Sequence, residues 1–349
     1  MRRAWMILGL ASLALLPQPQ AFAWNDTGHM TVALIAYRSF SKAEKEKLQA
    51  ILKGHPHYDL FLWPDKDKID AILTDHPEYK FFLKADRPSG VDEAEWAFIR
   101  AATWPDWVRP PKGHGQVKPE WVTKYHEGPW HYINKAYLWP DKSSTVPKDN
   151  LKVPTPNVVT QIPENLNGIK AASAEDKAVA LCWVLHLVGD IHQPLHCATM
   201  FSDDYKEGDR GGNSLAVRPR TAPVNLHAFW DDLLGKGTDF NTIDHLARNI
   251  TAASQHDPAR LPEISRDRNR NASPFDDWAE EALKDAISFA YLDGKLDFAD
   301  WNAFLDHKIS KDDVPDLPTG YEANAQSVAR KRIALAGIRL ASLLSEALK

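Results

Sequence analysis

The tract from His186 to His196 constrains this chain more than any other. It reads His186-Leu187-Val188-Gly189-Asp190-Ile191-His192-Gln193-Pro194-Leu195-His196 and follows the apolar positions Ala180, Leu181, Val184 and Leu185. Ser173 with Asp176 opens a helix over that run. Residues four apart share a helix face, so His186 and Asp190 point the same way. Pro194 ends or bends the helix, which swings His196 back towards the same place. His192, two residues from Asp190, points elsewhere and reads as structural. Any fold that accepts this tract must place imidazole and carboxylate among Leu and Val, and buried polar groups need partners.

The spacing recurs in Asn225-Leu226-His227-Ala228-Phe229-Trp230-Asp231, where His227 and Asp231 are again four apart. Asp232 falls off the His227 face. One helical His-x-x-x-Asp is usually a solvated hydrogen-bonded pair. Two such pairs set among Leu, Trp and Phe point to metal, and imidazole with carboxylate is what zinc takes when thiolates are absent. Further candidates stand upstream: His29, Asp106 in Trp104-Pro105-Asp106, and His131 in Trp130-His131-Tyr132-Ile133-Asn134. Cys182 and Cys197 lack C-x-x-C spacing and read as non-ligands, although an exported protein could join them.

Export is expected. Arg2 and Arg3 precede the apolar stretch Trp5 to Leu16, which is too short to span a bilayer, and Ala21-Phe22-Ala23 has the form of a cleavage site. Residues 1–23 are therefore read as a signal peptide, with the mature chain starting at Trp24. Its free amine and carbonyl could chelate a metal, with His29 five residues on. Residues 24–349 are expected to form one domain, because candidate ligands lie on both sides of two long surface excursions, Tyr58 to Gly90 and Trp139 to Pro163. Losing Arg2 and Arg3, with no acid in the same stretch, takes the net charge from −5 to −7. That excludes a broad basic footprint for duplex DNA, so a polyanion would be attracted by a local charge such as bound metal. Helical periodicity dominates. Asp26 or Thr27 is expected to cap a helix through Val32, Leu34, Ile35 and Phe40, Ser41 with Glu44 makes a capping box, and Ala325 to Leu348 reads as a long helix. Period-two strands are scarce, and the fold class is mainly α.

In chain order, Trp24 with Gly28-His29, Trp104-Pro105-Asp106, His131-Tyr132, the His186–His196 tract, Gly211-Gly212-Asn213 and Asn225-Leu226-His227 with Asp231 resemble the S1/P1 nuclease family. Ala336-Gly337-Ile338-Arg339-Leu340-Ala341 is similar to that family's last helix. The resemblance covers nearly the whole mature chain. It implies one helical domain of the zinc-dependent phospholipase C/P1 nuclease type, holding three Zn2+ ions. By resemblance, Asp106, His131, His186 and Asp190 would hold one zinc. Trp24, His29 and Asp190 would hold a close neighbour, so that Asp190 bridges, and His196, His227 and Asp231 would hold the third. The implied activity is hydrolysis of single-stranded DNA and RNA to 5'-phosphorylated products, with 3'-nucleotidase action on nucleotides. Arg109 would stabilise the transition state, Tyr132 would stack a nucleobase and Asn213 would contact substrate. Asn134 stands where many members carry an Asp linked to orienting water; Asn can hydrogen-bond that water but cannot take its proton. With the leader removed, a secreted or periplasmic monomer with no membrane anchor is expected, and the Asn25 sequon beside the expected terminus argues for a bacterial source. Tyr58 to Gly90 looks longer than the family minimum, and two cysteines cannot form the several disulfides of many eukaryotic members.

Two other readings stay open. A zinc-dependent phospholipase C shares the architecture and an N-terminal Trp, but its last helical pair characteristically ends in Glu where this chain has Asp231. A non-catalytic periplasmic zinc-binding protein would carry His-rich flexible tracts, and none is seen. Sequons occur at Asn25, Asn249 and Asn271, and a glycan on Asn25 would crowd the metal-binding terminus.

Overall fold

The computed structural model describes residues 24–84, 86–110, 119–171, 173–255 and 274–349. The leader 1–23 and the Asn271 sequon lie outside the described residues. The helices are α1 Asp26–Ser39, α2 Lys42–Leu52, α3 Lys66–Asp75, α4 Glu93–Ala101, α5 Trp104–Trp107, α6 Glu120–Tyr125, α7 Val158–Gly168, α8 Ala174–Asp190, α9 Leu226–Asp231, α10 Phe240–Gln255, α11 Pro274–Asp285, α12 Trp301–Leu305 and α13 Tyr321–Ala347. The strands are short. β1 Lys135–Leu138 pairs in parallel with β2 Ala198–Phe201, with Lys135 opposite Ala198. β3 Leu215–Val217 lies between β4 Val224–Asn225 and β5 Ala299–Asp300, antiparallel to both. The mainly α class is as expected.

Local signals explain most helix starts. Ser41 and Glu44 form the reciprocal capping box, and the Ser173 side chain accepts from Asp176 N. The α1 cap differs from expectation: it is Asn25, whose Oδ1 accepts from Gly28 N at 3.2 Å. The same amide donates to Asp232 Oδ1 at 2.9 Å and Gly235 O at 2.7 Å. A tertiary clamp therefore selects the cap, and Asp26 moves into the first helical turn, where its charge suits the helix dipole.

The two supposed surface excursions need correction. Tyr58 to Gly90 contains α3 and short turns at Tyr58–Leu62 and Pro77–Phe81, and it supplies Ile69, Phe82 and Leu83 to a small core with Val122. Ile69, Ile72 and Leu73 recur at helical spacing, which the many charges around them mask. In the second stretch α7 already begins at Val158, capped by Asn157 through Val159 N and Thr160 N, so Pro163 sits inside a helix.

The main hydrophobic cluster draws on residues from Trp24 to Leu344. α8 is buried almost continuously from Ala178 to Asp190, and α1 from Thr27 to Tyr37. Helices apolar on every face belong in the interior. α1 packs on α13, α10, α4 and α8, while α8 also meets α7, α2 and α5. These contacts place His29, on α1, over His186, on α8, with ring centroids 3.9 Å apart. Cys182 and Cys197 are buried and unbonded to each other. Among the described residues, no helix is long and apolar enough to cross a membrane.

The α1–α13 approach depends on Gly337, where a Cβ would lie 2.5 Å from Ile35 Cγ2 and 3.2 Å from Val32 O. Overpacking of that kind costs about 1–3 kcal/mol. Gly337→Ala should lower the urea midpoint accordingly, without altering the slope. A midpoint equal to that of the parent would show that the two helices have room to separate.

Candidate metal centre

Six short pieces of structure deliver the candidate ligands. α1 carries His29, α5 carries Asp106, and a 3-10 turn, Gly128–His131, ends on His131. α8 carries His186 and Asp190, the turn Pro194–His196 carries His196, and α9 carries His227 and Asp231. Pro194 does stop the helix and return His196 to the site, as its position predicts. Three groups have ligand atoms lying within 4.8 Å of one another: His29, His186 and Asp190; Asp106, His131 and His186; His196, His227 and Asp231.

Asp190 stands between them with no exposed surface. Its Oδ2 lies 3.0 Å from His131 Nδ1 and 3.2 Å from His186 Nε2. Its Oδ1 turns the other way, 3.4 Å from His29 Nε2 and 3.8 Å from His196 Nδ1. Burial alone would raise its pKa. The nearby charge of His186, hydrogen bonds from His131 and His186 and the approach of His29 outweigh that and hold it well below the usual carboxylate range.

Backbone carbonyls fix three of the five candidate imidazoles. His186 Nδ1 donates to Ala102 O at 2.7 Å, His196 Nδ1 to His131 O at 2.6 Å and His227 Nδ1 to Gly211 O at 2.6 Å. A neutral imidazole has one N–H, so at His196 and His227 the donation leaves Nε2 as a lone pair directed inward. At His186 the effect of burial is outweighed by the Asp190 and Asp106 charges, which raise its pKa, and its Nε2 would be freed only when a cation takes the proton's place beside Asp190. His196 Nε2 and His227 Nε2 then face each other at 3.2 Å, with Asp231 Oδ2 at 3.5 Å from the latter. Lone pairs that close repel unless a cation or proton lies between them. Carbonyl-fixed rings converging on lone pairs are the usual outer support of histidine metal ligands.

The donor set fits a metal on two further grounds. Asp190 Oδ1, Asp231 Oδ2 and the Nε2 atoms of His29 and His131 are buried without a hydrogen-bond partner among the described residues. Protonation states also agree. Burial pulls His29 down to about 4, and burial with the Arg109 charge pulls His131 to about 3, so both candidate ligands are neutral at pH 7. Burial pushes Asp231 well above its ordinary value despite the hydrogen bond from Gln193 Nε2 at 2.7 Å, and Asp232, Asp106 and Asp190 add repulsion. Such a carboxyl becomes stable as an anion once a cation shares its site.

The remaining predicted residues fall around this core. Trp24 is fully buried, and the next amide, Asn25 N, reaches Asp231 O at 3.4 Å, so the expected mature terminus lies against α9. Arg109 is buried, not an ordinary surface arginine, and pairs with Asp106 Oδ1 at 2.8 Å. Tyr132 is half-buried within reach of the Arg109 charge, and its ring stacks on no other among the described residues. Asn134 Oδ1 accepts from Thr199 Oγ1 at 3.0 Å. Asn213 Nδ2 donates to Arg210 O at 2.9 Å, inside the loop that presents Gly211. His192 is structural, as read: Nδ1 donates to Val188 O, and Nε2 accepts from Arg339 at 2.8 Å. The two cysteines join none of the three groups.

Sequence reasoning missed three supports. Gln193 donates to Asp231, as above. Arg332 and Arg339 on α13 grip Glu281 and the His192 end of α8. Asp209 is fully buried and organises the Gly211-Gly212 loop. An acid standing two residues before a Gly-Gly pair was the available signal for Asp209.

The S1/P1 Nuclease family profile matches residues 24–349. Endonuclease 4 of Arabidopsis thaliana is 31% identical over 174 residues, covering 48% of this chain and 49% of that protein. Nuclease S1 of Aspergillus oryzae is 28% identical over 187 residues, 52% of this chain and 56% of that one. The chain thus spans about half the length of these two relatives. Endonuclease 3 of Arabidopsis thaliana aligns at 23% identity over 344 residues, 93% of this chain and 89% of that protein. The extent of the family match, together with the three His/Asp groups, establishes that the chain belongs to the S1/P1 nuclease family.

Proposed function

We propose that the chain, cut before Trp24 and folded as one domain over 24–349, is a secreted or periplasmic, monomeric zinc phosphodiesterase. Its proposed action is to cleave single-stranded DNA and RNA to 5'-phosphorylated products, with 3'-nucleotidase activity alongside. The observation that carries this reading is the division of Asp190: one oxygen faces His131 and His186 and the other faces His29. That division suits a carboxylate shared by two metals. Asp106, His131, His186 and Asp190 would hold one zinc, and Trp24, His29 and Asp190 a second. His196, His227 and Asp231 would hold a third. When bound, zinc supplies Lewis acidity and a means of ionising water near neutral pH.

The chain's own residues do the rest. The carbonyls of His131 and Gly211 keep His196 and His227 in the ligand tautomer before any metal arrives, and the Ala102 carbonyl orients the His186 ring. Asp106 holds the Arg109 guanidinium in place, so a buried positive charge is ready for a phosphate oxygen. Tyr132, next to His131 in sequence, offers a ring on which an unpaired base can stack, whereas a duplex hides its base faces. Asn134 can orient a water through its amide but cannot accept a proton. Asn213 acts through the loop behind His227.

Zinc-loaded protein should cut single-stranded DNA and RNA much faster than intact duplex. Chelation should abolish the cleavage and added zinc restore it. Equal rates on both forms would remove the single-strand reading, turnover of phosphatidylcholine alone would indicate a phospholipase, and zinc uptake without any turnover would indicate a binding protein. Tyr132→Ala should weaken single-strand cleavage by about 1–3 kcal/mol, the typical worth of one stacked base, with zinc content unchanged. An unaffected rate would take Tyr132 out of substrate binding. A protein retaining one residue before Trp24 should carry about one zinc fewer by elemental analysis and lose most activity. Full zinc content and full activity with the extension would exclude the amine as a ligand.

A further inference from the structure

The loop from Asp209 to Ser214 holds an unusual backbone. Arg210, Gly211 and Gly212 all have positive φ, at 57°, 63° and 85°. For an L-residue such as Arg210 that conformation is disfavoured and persists only where surrounding structure enforces it. Gly211 could carry no side chain, since a Cβ would run into Leu195 O. The product of this geometry is one carbonyl, Gly211 O, placed 2.6 Å from His227 Nδ1.

Asp209 is what enforces it. Its Oδ1 accepts from Gly211 N at 3.0 Å and Met200 N at 2.8 Å. Its Oδ2 accepts from Gly212 N at 2.8 Å and Tyr291 OH at 2.9 Å. The carboxylate has no exposed surface and touches no candidate ligand in these bonds. Three backbone N–H groups from two stretches of chain thus converge on one anion, tying the loop to β2 and to Tyr291. Asn213 Nδ2 and Leu215 N also bond within the loop, to Arg210 O at 2.9 Å and Gly212 O at 3.2 Å, but among the described residues Asp209 is the side chain that holds the N–H groups of both Gly211 and Gly212.

The geometry points to Asp209 as a positioning residue for the His196–His227–Asp231 metal group, acting through the Gly211 carbonyl to keep His227 protonated on Nδ1 and open on Nε2. This rests on the reading of those three residues as a metal site. The effect is thermodynamic. A neutral histidine freed from its carbonyl populates both tautomers, and the fraction with its proton on Nε2 cannot ligate through that atom. Loss of such an outer partner typically costs 10–100-fold in metal affinity.

The test uses the processed protein and zinc alone. Asp209→Asn replaces an all-acceptor group by one whose amide N–H groups face the loop N–H groups. The apo protein would be examined by long-range proton–nitrogen NMR of the histidine rings, with the His227 signals identified by their loss in His227→Ala. Zinc titration would give the affinity of each step. The expected result is a parent His227 with Nδ1 protonated, a mixture of tautomers in Asp209→Asn, and a 10–100-fold weaker affinity for one zinc of three, the other two unchanged. Unchanged tautomer and affinities in Asp209→Asn, or equal weakening of every zinc, would overturn the positioning role. If Asp209→Asn does not fold, Tyr291→Phe removes one of the four bonds. A smaller shift in the same tautomer and the same zinc step supports the role, and no shift overturns it. The metal reading itself is checked separately, since His227→Ala binding as many zinc ions as the parent would remove the site and the proposal's premise with it.

Discussion

Asp190 is a carboxylate with no exposed surface, carried at the last position of a helix that is apolar on nearly every face. Two physical terms oppose its charge there. Burial removes its hydration, which costs several kcal/mol for an ion in a protein interior. The C-terminal pole of α8 adds negative potential from unpaired carbonyls. Asp231 repeats the situation at the last position of α9. Two helices thus bring their negative ends and a buried acid each to the same region. Hydrophobic packing alone would drive both acids to protonation. Imidazoles hold Asp190 ionised, while Asp231 lacks enough such help and is pushed the other way. The proposed cations answer both deficits, and the remainder of the fold can be understood as the scaffold that brings donors to them.

That scaffold works by fixing nitrogen atoms rather than by filling space. His29 comes from α1, His131 from a turn, His186 from α8 and His196 from the turn after Pro194. Each ring must present a lone pair, so each second nitrogen matters as much as the first. Ala102, His131 and Gly211 provide carbonyls for His186, His196 and His227, and His131 serves twice, as candidate ligand and as the support of His196. The other side of α8 is held as firmly. Arg332 donates to His192 O, and Arg339 meets both His192 Nε2 and Glu281. Motion at the α13–α8 contact would therefore reach Asp190 within two residues.

Legibility in the sequence followed the range of the interaction. His186 with Asp190, His227 with Asp231, and Ser41 with Glu44 are pairs three or four residues apart, and helical geometry makes them neighbours whatever the tertiary structure. The return of His196 was legible because proline has one local consequence. The α1 cap was misassigned because Asn25 is chosen by Asp232 and Gly235, about 210 residues away. Asp209 escaped notice for the same reason: its partners are backbone N–H groups and Tyr291, which lies 82 residues on. Tyr58 to Gly90 was read as surface because its charges obscure Ile69, Ile72 and Leu73, which need Phe82 and Val122 to make a core. Burial of Arg109 was likewise invisible, since Asp106 three residues earlier could equally have formed a solvent-exposed pair.

The charge balance of the whole chain then bears on the substrate. A chain with net charge −5 repels a polyanion at long range. Attraction has to be generated within a few ångströms, where buried charge is little screened by salt. The site meets this condition with one buried arginine and a donor set suited to divalent cations, while ion pairs such as Lys124–Glu175, Lys135–Glu280 and Arg218–Asp316 offset their own charges. A short reach favours flexible strands. Under the proposed function, a single strand could bring one phosphate to the His/Asp groups and leave its base against Tyr132, whereas a duplex presents its phosphates on a stiff surface and keeps its bases paired. Selectivity of this kind would come from where the charge is kept, not from how much of it the protein carries.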